Sequence, residues 1–185
     1  MLGASLLVAL GLHAGSKGWV LLPEMLWVCH IASFVLALGL LLGIPAFAAA
    51  GFLLHVSYGF PSYVLDVVAT GVTTPTSVLV HGLTLVGGAF AVWRAGWPPG
   101  VAAPAWAFYL MWVPVCYWFT PPALNVNLAH APWPPLAGVF PRLWMSWAAN
   151  ALQSLVSFLI ADYILRRWPS PARSMRASPN AVHLS

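Results

Sequence analysis

Carboxylates are almost missing from this chain: Glu24, Asp66 and Asp162 are the only three in 185 residues. Lysine and arginine add seven, so charged residues make up 5% of the sequence, against about 25% in a soluble domain. That shortage excludes a water-solvated surface and makes lipid the natural solvent for most of the chain. The basic residues fall at the ends of apolar segments, and no basic stripe with interleaved aromatics occurs, which excludes a nucleic-acid surface. Two cysteines, Cys29 and Cys116, are too few for a disulfide framework. A positive stretch ahead of the first apolar run is also lacking, so residues 1–12 do not read as a signal peptide.

What remains is apolar and aromatic. Hydrophobic residues reach 61%, with 15 glycines, 17 prolines and 11 tryptophans, a composition suited to membrane helices and their interfaces. A spanning helix needs roughly 20 mostly apolar residues. The first clear span is expected from Trp19 to Gly43, preceded by a short or interfacial helix over Met1 to Leu12. A second runs from Pro45 to about Phe60, where Pro61 kinks or ends it and Tyr63 to Gly71 continue near the interface. Thr73-Thr74-Pro75-Thr76 is a helix start, opening a third span to about Trp93. A fourth covers Ala103 to Thr120. A loop rich in Pro, Asn and Trp follows over Pro121 to Pro141, then a fifth span over Arg142 to Leu165. The expected fold is an all-α multi-pass bundle of about five spans, or six if the N-terminal segment crosses. Its helical domain occupies residues 1–168, ahead of a polar, disordered tail over 169–185.

Arg94 closes the third span, and Arg166, Arg167, Arg173 and Arg176 close the fifth. The positive-inside rule makes their side cytoplasmic, with the N-terminus outside or lumenal. This threading puts Cys29, His30, His55, His81 and Cys116 near one level, toward the outer leaflet. Asn125, Asn127 and His130 lie in the adjoining loop, and Trp144, Trp147 and Asn150 enter from the last span. Polar groups within spans are costly and tend to face the bundle interior or a water-filled cavity. Each has a plainer role: a histidine can be a helix-packing hydrogen bonder, a cysteine a small buried apolar residue, and the tryptophans an aromatic belt. Cys29 and Cys116 could also pair, and Asp162 can pair with Arg166 at i+4.

Three kinds of chemistry suit such a cluster. A thiol becomes a nucleophile when a histidine takes its proton. Cys29 with His81 fits, while His30 points about 100° away from Cys29 around the helix. Asn125 or Asn127 could orient the histidine or donate to an oxyanion. His55, Trp144 and Trp147 would then line a lipid site. Alternatively His30, His55 and His81 could ligate haem b, or zinc or copper, although no H-x-x-x-H pair occurs. Finally, the small faces at Gly39, Gly43, Ala48–Gly51 and Gly87–Gly88 suit close helix packing in a non-catalytic subunit of a membrane complex or a homo-oligomer. No inverted repeat points to a secondary transporter.

The order of Cys29-His30, the Pro-Thr-Ser-Val-Leu-Val-His81-Gly start of a later span, and Leu124-Asn125-Val126-Asn127-Leu128 with Pro132 resembles the YwaF-type bacterial integral membrane proteins and their eukaryotic TMEM-type relatives. The resemblance implies acyl transfer on membrane lipids without a cofactor. Cys29 would be the nucleophile, His81 the base, and Asn125 or Asn127 the asparagine of the last motif. The sequence departs from that pattern where His30 directly follows Cys29, and where Val126 or Leu128 replaces tyrosine.

Overall fold

The structure, a computed structural model, describes residues 1–171. The expected tail lies almost wholly outside them. Among the described residues every regular element is helical. Helix α1 runs Leu2–Leu21 and α2 runs Val28–Leu42. Within α1 Gly18 takes a left-handed φ of 68° and kinks the helix; between α1 and α2 a 3₁₀ turn covers Leu22–Leu26, and Trp27 is extended. A single span over Trp19 to Gly43 is therefore corrected to the last residues of α1, a 3₁₀ turn and the whole of α2. Gly18 tolerates a positive φ that L-residues resist, and Pro23 opens the 3₁₀ turn that redirects the chain. The N-terminal segment is correspondingly longer than an interfacial helix: Leu2–Leu26 is long and apolar enough to cross a membrane.

Gly43, left-handed at φ 66°, ends α2, and Pro45 starts the next rod. This rod is α3 (Pro45–Leu54), a π turn (His55–Gly59) and α4 (Phe60–Thr70). Pro61 does not end it. A proline ring clashes with the carbonyl four residues back. Here the turn before it widens, with the Phe60 N–H bonding the His55 carbonyl five residues back. Single π turns of this kind often mark functional positions. Antiparallel packing of α2 on this rod is unusually close. Glycines make it so: a Cβ on Gly51 would clash with the backbone of Leu36 and Ala32, and one on Gly59 would come within 2.8 Å of the Cys29 Cα.

Helices α5 (Pro75–Ala95), α6 (Ala102–Phe119) and α7 (Leu143–Arg167) complete the bundle. Thr74 caps α5, its side chain accepting from the Ser77 N–H. Arg94 lies in the last turn of α5, and Arg166 and Arg167 in that of α7. Those two ends share one side of the bundle, because Trp97 Nε1 donates to Asp162 Oδ1 at 2.7 Å and Arg166 pairs with Asp162 at 2.6 Å.

The interior holds Ser33, His55, Thr84, Asn127 and Ser154, each fully buried, while Val86, Leu152, Leu159 and Ile160 stand exposed on the outside. Apolar outside and polar inside is the partition that lipid rather than water imposes. Leu2–Leu26, Pro45–Thr70, Pro75–Ala95 and Leu143–Arg167 are each long and apolar enough to span. The chain is thus a multi-pass, all-α integral membrane protein. At 15 residues, α2 extends roughly 22 Å, short of the ~30 Å hydrocarbon core.

Candidate functional site

Four imidazoles from four different segments meet at the end of the bundle opposite Arg94, Arg166 and Arg167. His13 comes from α1, His30 from the first turn of α2, His55 from the π turn and His81 from the second turn of α5. All four are at least 95% buried. Their rings form a continuous series: centroids are 4.9 Å apart for His13 and His30, 5.9 Å for His30 and His81, and 5.6 Å for His81 and His55. Short helices crossing at glycine contacts make this convergence feasible. Gly59 lets the π turn approach α2 at Cys29, and Ser33 and Thr84 hold α2 to α5 through hydroxyls 2.6 Å apart.

Backbone carbonyls fix how two of the rings present themselves. His30 Nδ1–H donates to the Glu24 carbonyl at 3.0 Å, and His81 Nδ1–H donates to the Ser77 carbonyl at 2.8 Å. A neutral ring that donates from Nδ1 carries its lone pair on Nε2. Both Nε2 atoms are buried and have no hydrogen-bond partner. His55 has neither ring nitrogen bonded; the carbonyls of Cys29 and His81 lie beside it, outside hydrogen-bond geometry. His13 Nδ1 meets the Thr76 hydroxyl at 2.9 Å. Buried polar atoms are nearly always satisfied, so several unpartnered nitrogens of one chemical kind in one place require a reason.

Around the cluster, Tyr63 stacks on His81 with centroids 3.7 Å apart and planes 15° from parallel. Phe60 lies against His55. Above it toward the aqueous end sit Ser16, bonded to Thr76, and the Lys17–Glu24 ion pair. His81 is six residues into α5, roughly 9 Å along the axis, which places the cluster within reach of one membrane surface.

The remaining predicted residues are placed otherwise. Cys29 is buried and its thiol is free; among the described residues no hydrogen bond joins it to an imidazole, and its backbone is wedged against Gly59. Cys116 is also a free thiol, so the two cysteines are not paired. It points away from the histidines to the Leu26 carbonyl. Asn127 lies on that same far side of Leu26. Its Oδ1 accepts from the Val28 N–H at 2.9 Å, and its Nδ2 donates to the Leu26 carbonyl at 2.9 Å and to Cys116 Sγ at 3.1 Å. Asn125 closes the loop between α6 and α7, accepting from the His130 and Ala131 N–H groups. Trp147 Nε1 donates to the Ala129 carbonyl, and Trp144 is exposed. Asn127 starts α2, and Asn125 and Trp147 fold the loop; among the described residues no hydrogen bond or ring contact joins Cys116, Asn125, Asn127, Trp144 or Trp147 to the four histidines.

His13 is not among the residues expected to act. Its signal in the sequence is only a lone histidine near the end of an apolar run. It joins the cluster because α1 turns back at Gly18, which the expected single span conceals. The four rings do not present their nitrogens to one point as they stand: among the described residues, no three His, Cys, Asp or Glu side chains form a metal-ready group. No protein-family model matches the chain, and neither does any curated protein or solved structure.

Proposed function

We propose that this integral membrane protein binds a first-row transition metal, zinc or copper, through His30, His55 and His81. What carries the reading is the set of buried, unpartnered imidazole nitrogens on three adjacent helices. A lone pair in a dry interior is satisfied by a proton, a donor hydrogen or a cation, and a neutral imidazole whose other nitrogen bonds a carbonyl is a metal ligand with its outer contact already in place. Two imidazoles on one tetrahedral metal stand with ring centres roughly 5 Å apart, given metal–nitrogen bonds of about 2.0–2.1 Å. The observed 5.6 and 5.9 Å separations need rotations of side chains, and His55, bonded at neither nitrogen, is free to make one.

Haem suits this site less well, since the glycine contacts between α2 and the π turn leave no slot for a porphyrin plane. Acyl transfer by Cys29 and His81 would need the thiol to reach an imidazole to which it is not bonded. Arg94, Arg166 and Arg167 at the far end support a cytoplasmic face there under the positive-inside rule, which sets the histidines toward the outer leaflet.

Purified protein, stripped with chelator and dialysed against zinc or copper, is expected to retain about one metal ion per chain by elemental analysis. His81→Ala and His55→Ala should each lower retention at least about ten-fold at limiting metal, while Cys29→Ala retains it. Wild-type protein that holds no more metal than the triple histidine variant would overturn the proposal.

A further inference from the structure

A second polar feature lies away from the histidines, between α6 and α7. It is a cavity of about 160 Å³ lined by Tyr109, Val113, Pro114, Trp147, Asn150 and Ala151, with Leu110 at its edge. Tyr109, Val113 and Asn150 are buried at its floor. Pro114, Trp147 and Ala151 are half-buried at its rim, so it opens on the outer, lipid-facing side of the bundle. Tyr109 and Asn150 each sit seven residues into their helices, about 10 Å from the helix starts. The cavity therefore lies at hydrocarbon depth.

Three polar groups belong to residues that line this otherwise apolar space. The Tyr109 hydroxyl is buried beside the Tyr58 hydroxyl and the Asn150 amide, outside hydrogen-bond geometry to either, and the residue is 0% exposed; the Tyr58 ring packs on it at 4.5 Å. Asn150 supplies an amide. Pro114 has no N–H, so the Leu110 carbonyl loses its usual i+4 donor. A donor without hydrogen-bond geometry, an amide and a freed carbonyl beside an apolar slot in lipid are costly unless something fills them. Water fills them poorly: the volume would admit about five molecules at ~30 Å³ each, and each needs two to four polar partners. Drug-sized ligands occupy roughly 300 Å³ or more, so the space suits one substituted six-membered ring whose tail lies outside in lipid.

We propose that this cavity binds the ring of a membrane-dissolved quinone, with Tyr109 and Asn150 donating to a ring carbonyl and Trp147 against the ring face. The hydroquinone form would also place a hydroxyl donor near the Leu110 carbonyl. The site is separate from the histidine cluster and does not depend on metal.

The test uses the full-length protein in detergent with a short-chain benzoquinone bearing one isoprenoid unit, measured by equilibrium dialysis with no metal added. Saturable binding near one per chain is expected. Tyr109→Phe should weaken it roughly five-fold by loss of one hydrogen bond, and Ala151→Trp should abolish it by filling the slot. Thermal melting of each variant confirms that it is folded; should Ala151→Trp fail to fold, Tyr109→Phe, which removes a single oxygen, decides alone. Binding by wild type and Tyr109→Phe that is equal, or equal to that of a ring hydrocarbon of the same size, would show an apolar hole only and overturn the proposal. So would the absence of saturable binding by wild type.

Discussion

Asn127 shows how much of this fold rests on single polar side chains. Its backbone has a left-handed φ of 54°, a conformation asparagine tolerates better than most residues. That conformation aims its amide at the break between α1 and α2, where Val28 N–H and the Leu26 carbonyl have no helical partner. Trp112 Nε1 shares the Leu26 carbonyl at 2.8 Å, so α6 is tied to the same point. Replacing Asn127 by leucine strands the Val28 N–H in a buried site. A cost of about 1–3 kcal/mol is expected for that unsatisfied donor, read as a lower melting temperature in detergent. An unchanged melting temperature would show that another group takes over the amide's bonds. The histidines answer to different physics. Asn127 has its partners, whereas His30, His55 and His81 hold nitrogens without any, and only the latter invite an external ligand.

At the scale of elements, closeness between α2 and the rod from Pro45 to Thr70 decides whether the histidines can meet. Gly51→Ala would drive a methyl group into the backbone of Leu36 and Ala32. A backbone neighbour cannot swing aside, so a loss of about 1–3 kcal/mol is expected. Gly82→Ala is the matched control. Gly82 lies in α5, and a methyl group there would meet nothing within 4 Å, so the same change should stabilise by roughly 0.5–1 kcal/mol through helix propensity. Thermal melts that show equal effects at both positions would contradict the packing described here. The same glycines explain what could be read in advance. The helical runs after Thr74, over Ala103 to Thr120 and after Arg142 were legible because length, apolar content and flanking caps or prolines all agree there. The α1–α2 break was not, since Pro23 and Glu24 equally suit the first turn of a span that continues apolar to Gly43. The continuation through Pro61 was also hidden, because a π turn has no sequence signature beyond the proline it accommodates. As for the site, antiparallel threading sufficed to bring His30, His55 and His81 to one level. His13 required the missed break, and Asn125 and Asn127 could be assigned to loop folding only once their partners were visible.

For the molecule as a whole, the two ends differ in chemistry. One gathers Arg94, Arg167 and an Asp162 joined to both Trp97 and Arg166. The other gathers four imidazoles beneath an ion pair. If the arginine end is cytoplasmic, the histidine cluster would draw its metal from the outer aqueous phase, past Lys17 and Glu24. Cysteines introduced at Ala95 and Pro169, both exposed, should then be labelled only from the cytoplasm by a membrane-impermeant thiol reagent. One introduced at Ser16 should be labelled only from outside. Labelling of all three from the same side would remove the separation between the ends.

X-ray absorption on the zinc-loaded protein tests the histidine site most directly. The expected spectrum shows a first shell of three or four nitrogens at about 2.0–2.1 Å with the outer-shell scattering of imidazole rings. A shell of oxygens alone, or one containing sulfur at about 2.3 Å, would contradict a histidine-held metal.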